Sequence, residues 1–307
     1  MTSRTALFSR KQVGGVFTID DLAEHPGDIY FVGSAVTGAS DAAGFGKNPD
    51  APFATLDYAI GQCTENQGDV IYVLPGHAET TTAIALDVAG VRIIGLGWGR
   101  IRPTLTADTT AGSLLTVSAA NCEISNVRFL GAASGNLALL DLAAADFVGR
   151  NLSFEHGAAP LIAVTVGVAS HRFQLLDCQW LGTANGPDTA LNVAAKSHDW
   201  IVRGARFLYG QAGLDNELIK SAKANLGYIV ENFVAVGVDS LVLNLTSSSA
   251  GAPDGLVSDG RVMYSAAVAS IEDGVAAATS KGAAFGRIYA SDATGVAGGL
   301  IPLTTAS

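Results

Sequence analysis

The chain has 307 residues, of which 49% are hydrophobic and only 15% are charged, and it contains 36 glycines. This composition allows a full hydrophobic core and favours a tightly turned β architecture over a helical bundle. The formal net charge of −10 argues against a nucleic-acid partner, because binding to phosphates requires clustered lysine and arginine.

The beginning of the chain predicts an arm followed by a capping helix. Residues 1–27 contain no apolar segment of the kind found in secretory signals, and we assign them to an N-terminal arm. Pro52 to Thr64 predicts a helix, because a proline stands near its start and Phe53, Leu56 and Ile60 share one face. Such a helix would cover the open strand edge at the start of a repeat domain.

A column of glycine, asparagine or aspartate residues recurs along the rest of the chain every 25 to 31 residues. Its members are Gly95, Asn126, Asn151, Asp177, Gly204, Asn232, Asp259 and Gly286. These residue types adopt the left-handed conformation most readily, so the column predicts a corner between two strands in each repeat.

The residues that flank this column alternate in polarity, as they do in strands with one buried face. The first and third positions after the corner are mostly apolar, and the third includes Trp98, Phe129, Phe154, Trp180, Phe207 and Tyr289. The second position is mostly polar. Arg287 and Ile288 break the pattern in the last repeat, which we therefore expect to be irregular or to act as a cap.

A single repeat of this kind cannot bury its apolar face alone, but stacked repeats form a continuous core. Helical periodicity and the leucine-rich consensus are both absent. We therefore predict an all-β fold, a parallel β-helix of about eight coils over residues 28–290, with a C-terminal tail over residues 291–307.

Two stretches of the sequence resemble known families. Pro52-Phe53-Ala54-Thr55-Leu56 and the following Gly68-Asp69-Val70-Ile71-Tyr72-Val73 resemble the entry to pectate-lyase-like right-handed β-helices. The stretch Leu86-Asp87-Val88-Ala89-Gly90-Val91, with Ile93 to Gly97, is similar to β-helical structural proteins of tailed bacteriophages. The resemblance implies a right-handed β-helix with a short N-terminal capping helix.

The lyase resemblance would imply clustered aspartates for Ca²⁺ and an arginine base on neighbouring coils. The candidates are Asp177 with Asp199, and Arg203 with Arg206; the alternative interpretation is a bend residue for Asp177 and a solvated strand face for Arg206. Glycoside hydrolysis would need two carboxylates across one cleft.

For glycoside hydrolysis the best candidates are Asp146 and Asp199, with Arg172 between them. We predict that these residues form a surface ion pair instead. The other motifs in the sequence are weak. Gly95-x-Gly97-x-Gly99 predicts tight turns rather than a dinucleotide site, because no helix pattern follows it.

The isolated histidines and cysteines are interpreted as structural. The pairs His77–Glu79 and His156–Glu155 have no third metal ligand and no nucleophile, and we predict polar loop residues. The three cysteines lack metal-ligand spacing. We predict that Cys63, Cys122 and Cys178 are reduced, buried thiols, as expected for assembly in a reducing cytosol.

We accordingly predict a protein without catalytic residues, metal or cofactor. The predicted function is that of a virion structural protein, a capsid decoration or cement protein assembled in the host cytoplasm, homotrimeric and in contact with the major capsid protein or neighbouring virion proteins. Either terminus is predicted to dock on a partner, and outward apolar residues such as Val234 would mark the subunit interface. The alternatives are a tailspike or fibre that binds or cleaves host polysaccharide, and a secreted polysaccharide lyase.

Overall fold

The computed structural model describes residues 27–81, 83–108, 112–131, 138–156, 162–182, 189–209, 217–221, 225–238, 241–244, 254–264, 275–276, 283–291 and 298–300. The structural statements that follow concern these residues. The predicted N-terminal arm therefore lies almost entirely outside the described residues, and so does most of the predicted C-terminal tail.

The strands form three parallel ladders, which we call sheets A, B and C. Sheet A contains β1 (Ile29–Val32), β2 (Val70–Val73), β5 (Arg92–Gly95), β8 (Glu123–Ser125), β11 (Val148–Arg150), β14 (Gln174–Leu176), β17 (Ile201–Arg203), the first halves of β20 (Leu226–Val238) and β22 (Asp254–Tyr264), and β24 (Ala283–Gly286). Sheet B contains β3 (Ala78–Thr81), β6 (Thr104–Ala107), β9 (Arg128–Gly131), β12 (Ser153–His156), β15 (Gln179–Gly182), β18 (Arg206–Leu208), the second halves of β20 and β22, and β25 (Tyr289–Ser291).

Sheet C contains β4 (Ile84–Leu86), β7 (Ser113–Val117), β10 (Ala138–Leu142), β13 (Ile162–Val166), β16 (Thr189–Val193), β19 (Glu217–Ser221), β21 (Leu241–Asn244) and β23 (Val275–Ala276). The chain visits the sheets in the order A, B, C, and each strand pairs in parallel with its counterpart one coil later. One further strand, β26 (Gly298–Leu300), pairs antiparallel with β25. This topology confirms the predicted all-β fold, a parallel β-helix.

The predicted corner column lies between sheets A and B. Six of its eight members have positive φ, from 48° at Asn151 to 69° at Gly204. Their side chains also bond along the axis: the Asn151 amide donates to Asn126 Oδ1 (3.0 Å), and the Asn126 amide donates to the Gly95 carbonyl (2.7 Å). The asparagines therefore satisfy backbone and side-chain groups of the adjacent coil while they turn the chain.

The predicted register is wrong in the first coil of the column. Residues 96–103 form a long connection between β5 and β6, with a 3-10 turn at Gly99–Ile101, where later coils turn with two residues. As a result Leu105, and not Trp98, stands in register with Phe129. Trp98, predicted to point inward, is 83% exposed.

The predicted register is also wrong in the last coil, by one residue. Ser258 pairs with Gly286 and Arg261 pairs with Tyr289, so the corner falls at Arg287, which has a φ of 52°. Ile288 is consequently buried, and Tyr289, predicted to point inward, is 56% exposed. The last coil thus continues the β-helix. Arg287 can occupy this corner because its guanidinium lies 2.8 Å from the carboxylate of Asp259 in the preceding coil.

Two aromatic stacks fill the core. The predicted one runs through Phe129, Phe154, Trp180 and Phe207, with centroid separations of 5.3, 5.2 and 4.6 Å. The second was not predicted, and runs through Phe173, Trp200 and Tyr228 at 5.4 and 4.9 Å. Offset ring pairs at these distances add to the burial of apolar area.

The N-terminal helix is present but shorter than predicted. Helix α1 spans Leu56–Ile60, because Thr55 caps its start and Gly61 ends it, while Phe53 is extended and bridges to Val32. The helix binds the open edges of two sheets: the Ala85 amide donates to Asp57 Oδ1 (3.1 Å), and the Leu56 amide donates to Glu79 Oε2 (2.9 Å). These contacts confirm its predicted role as a cap.

We expect Gly204→Ala to destabilise the protein strongly. A left-handed φ of 69° costs alanine about 1–2 kcal/mol, and a Cβ here would lie 2.2 Å from Asp177 Oδ1. Denaturant titration should therefore show a larger loss of unfolding free energy in the wild type than in an Asp177→Ala background, where the clash is gone. Equal losses in both backgrounds would contradict this account.

Candidate functional site

The residues proposed for lyase chemistry do not form a site. Asp177 follows β14 and Asp199 precedes β17, so the two aspartates lie at opposite corners of sheet A. Arg203 is bound by Glu231 of the next coil, and Arg206 is an exposed outward residue of sheet B. Asp177 has a φ of 55°, which agrees with its interpretation as a bend residue.

Asp146, Arg172 and Asp199 belong to a second corner column, between sheets C and A. All three have φ between 56° and 60°. Arg172 binds Asp146 through two nitrogens, each 2.7 Å from a carboxylate oxygen, and this pairing holds the pKa of Asp146 below its usual range. The Arg172 side chain is 54% exposed, so the predicted surface ion pair is confirmed.

His77 lies in the loop between β2 and β3, as predicted, but Glu79 lies on β3, and both side chains are buried. His77 Nε2 lies 3.2 Å from Glu79 Oε2, while Nδ1 accepts the Ser34 backbone amide at 3.0 Å. These two contacts place the proton on Nε2 of His77, which donates it to the Glu79 carboxylate. Because the Ser34 hydroxyl bonds to Ala78 instead, the three residues do not form a catalytic triad; they join the N-terminal loop, the helix and β3.

His156 is likewise not a loop residue. It lies on β12 with its side chain fully buried, between Gly131 and Gly182 in the strands on either side, whereas the neighbouring Glu155 points outward and binds Arg128. Burial lowers the pKa of His156 to about 4, because the charged form is poorly solvated there. The imidazole is thus a neutral core side chain at pH 7.

The outward carboxylates of sheets A and B are held by arginines of adjacent coils. Glu123 contacts both Arg92 (3.4 Å) and Arg150 (3.3 Å). The pairs Arg128–Glu155 and Arg203–Glu231 repeat this pattern further along. These carboxylates are therefore held by arginines of the fold itself, and stacking accounts for their positions.

The outward face of sheet C carries a different set of side chains, which we call the polar ladder. It consists of Thr116, Asp141, Thr165, Asn192 and Lys220 in successive coils. The inward residues on each side, such as Leu140 and Leu142, are fully buried. Asp141 is the ladder's carboxylate, and burial raises its pKa.

The polar ladder suits binding better than bond cleavage. Its hydroxyl, amide and charged groups repeat every ~4.8 Å, the spacing of paired strands, and can hydrogen-bond an extended polar ligand. Asp141 and Lys220 are three coils apart, or roughly 14 Å on that spacing, too far to act on one bond together. In the described part of the chain we find no cluster of metal-ligating side chains and no helix long and apolar enough to cross a membrane.

The polar ladder was not predicted, although the sequence carries a signal for it. Four strands of sheet C, β7, β10, β13 and β16, place one polar residue between two aliphatic ones, as in Leu115-Thr116-Val117 and Val164-Thr165-Val166. The signal was obscured because the corner column aligns sheets A and B, whereas the connections from sheet B to sheet C vary in length. The glycines of Gly95-x-Gly97-x-Gly99 form turns, as predicted, with φ of 95° at Gly97 and 58° at Gly99.

No protein-family model matches the sequence, and no curated protein is similar to it. Several solved structures share its fold. A rhamnogalacturonan lyase superposes with a TM-score of 0.61 at 12% identity, over 78% of this chain and 69% of that chain. The pectate lyase Pel9A superposes with a TM-score of 0.48 at 12% identity, over 87% and 77% of the two chains. ORF18 of Geobacillus virus E2 gives a TM-score of 0.38 at 10% identity, over 86% and 61%.

The superposition on the rhamnogalacturonan lyase supports the pectate-lyase-like parallel β-helix fold that the entry motif predicted. At this level of identity it shows the fold alone. The superposition on the viral protein is too loose to establish a phage origin.

The three thiols should be nearly inert in the native protein. Cys122 and Cys178 are buried, and desolvation raises the pKa of all three thiols, to about 12 for Cys63 and Cys178. We expect a disulfide reagent at pH 8 to label the native chain at least tenfold more slowly than the denatured chain, because the thiolate is the reactive form. Rapid labelling of Cys178 in the native state would contradict this structure.

His156 should make stability depend on pH. Its pKa is about 4 in the fold against an ordinary 6.5, so the unfolded chain binds the proton first as the pH falls. The contribution of His156 is complete above pH 6.5 and declines by about 3 kcal/mol towards pH 4. Denaturation of His156→Gln over this range should show a correspondingly flatter pH dependence than the wild type; parallel curves would refute the assignment.

Proposed function

We propose that this chain is a non-enzymatic structural protein of a tailed-bacteriophage particle, a decoration or cement protein on the head surface. The sequence resemblance of residues 86–97 to β-helical phage structural proteins suggests the setting. The isolation of the candidate carboxylates, or their pairing with arginines, supports a role without catalysis. A rigid solenoid with ion-paired outer faces is suited to presenting fixed surfaces to neighbours.

The location of exposed apolar side chains supports attachment through the C-terminal coils. Leu256 of sheet A and Met263 and Tyr289 of sheet B point outward in the last coils and are 38%, 53% and 56% exposed. Outward positions of the middle coils instead carry residues such as Glu123, Arg128 and Gln179. Exposed apolar residues at one end of a solenoid suit a contact surface, and we call these three residues the C-terminal apolar patch.

Electron microscopy of purified particles, with a gold-labelled antibody against this chain, tests the placement. We expect label distributed over the head. Label confined to the tail tip would overturn the head-surface proposal and favour the second candidate below.

The attachment surface can be tested by re-addition to particles that lack the chain. Replacing Leu256, Met263 and Tyr289 together by serine should weaken binding at least tenfold, since the apolar contact is lost. Arg206→Ser, an exposed change on sheet B of a middle coil, is the control and should bind like the wild type. If the triple variant binds normally, the patch is not the attachment surface.

The second candidate function is that of a tailspike or fibre protein that binds host polysaccharide. The polar ladder favours it, because a long row of hydroxyl and amide groups matches the hydroxyls of an extended sugar chain. Calorimetry with purified host polysaccharide would test it, with Asp141→Asn and Thr165→Val compared against Gln174→Ala on sheet A. Binding that the ladder variants reduce, without release of new chain ends, would favour this candidate over the first.

A further inference from the structure

The connection between β5 and β6, which we call the Trp98 loop (residues 96–103), is longer than the matching turn of later coils, and hydrogen bonds hold it in place. The Gly76 amide of the preceding coil donates to the Ile101 carbonyl at 2.6 Å. The Asn126 side chain of the following coil donates to the Gly97 carbonyl at 2.9 Å. The loop is thus tied to the coil on each side, which fixes its conformation before anything binds.

This braced loop exposes an apolar and cationic tip. Trp98 is 83% exposed, Ile101 is 49% exposed, and Arg100 between them is exposed and forms no ion pair in the described part of the chain. The other two tryptophans, Trp180 and Trp200, are fully buried. Tryptophan and arginine dominate binding hot spots, and a preformed loop avoids much of the ordering cost of association.

The opposite side of the solenoid has the complementary charge at the same height. Asp141 lies on the outward face of sheet C, while the exposed Asp87 and Asp108 follow β4 and β6 and so flank that sheet. They belong to the coils just before, at and just after the Trp98 loop. None of these carboxylates forms an ion pair within the described ranges, in contrast to those of sheets A and B.

We infer that the Trp98 loop is a self-association element, which docks on the sheet C side of a second copy and places Arg100 beside Asp87, Asp108 and Asp141. The loop extends from the corner between sheets A and B, which in a three-sided solenoid is the corner opposite sheet C. A contact between a corner and the opposite face is heterologous, and copies with parallel axes can repeat it until a ring closes. A threefold ring would be the predicted trimer.

The inference goes beyond the proposed function and identifies a contact for the homotrimer that the sequence predicts. Trp98 is its own probe, because the buried Trp180 and Trp200 are shielded from a soluble quencher. With the full chain, light scattering gives the mass at each concentration, and acrylamide quenching of tryptophan emission gives the exposure of Trp98. We expect a trimer at high concentration in which quenching falls several-fold relative to the dilute monomer.

Variants test the two halves of the contact. Trp98→Ala and Arg100→Glu should each raise the dissociation constant at least tenfold, and Asp141→Arg combined with Arg100→Glu should recover part of that loss. Arg206→Glu is the matched control: it reverses the charge of another exposed arginine, on sheet B of a middle coil, and should leave assembly unchanged.

Each outcome decides between distinct conclusions. An assembly in which Trp98 stays as quenchable as in the monomer, or that tolerates Trp98→Ala, overturns this inference and leaves the proposed function standing. A chain that is monomeric at every concentration overturns both the inference and the homotrimer predicted from the sequence. Protection of Trp98 in a monomer by host polysaccharide overturns the inference and assigns the loop to the second candidate function.

Discussion

The in-register stacking of coils is the constraint on which the rest of the structure depends. Each residue contacts the residue at the same position one coil earlier and one coil later, at the spacing of paired strands. A corner must therefore turn the chain and also leave room for the corner above it. At Gly204 both conditions apply, because its φ is 69° and the carboxylate of Asp177 occupies the space that a Cβ would need.

The same stacking explains what the sequence could predict. The corner column and its apolar flanks predicted sheets A and B, because the turn from sheet A to sheet B keeps a constant length in the coils from Asn126 to Asp259. Counting from the corner failed where the chain departs from that turn. The long connection after Gly95 displaced Trp98 from the core, and the corner at Arg287 moved Tyr289 to the surface. Both errors came from assigning register by sequence distance, whereas burial of the apolar face decides it.

The polar residues were harder to interpret, because their chemistry depends on the neighbouring coil. The Arg172–Asp146 pair was predictable, because both residues occupy one column and adjacent coils lie within reach of an arginine side chain. His77 and Glu79 were not, because their partners Ser34 and Leu56 belong to the loop and helix that precede the regular coils. Alternation within β12 would have assigned His156 inward and Glu155 outward, had the predicted strand been extended by two residues beyond Phe154.

Repetition also separates the stability of this fold from its function. A residue that follows the column rules is explained by stacking, so the aromatic stacks, the asparagine corners and the arginine–carboxylate pairs need no ligand to account for them. The departures carry the functional information. The Trp98 loop exposes a large aromatic side chain that the core could have buried, and the polar ladder keeps Asp141 on a face where charge is costly to desolvate. Stacking explains neither feature. The Trp98 loop and Asp141 lie on opposite sides of the solenoid and one coil apart, which suits a heterologous contact between copies of one chain.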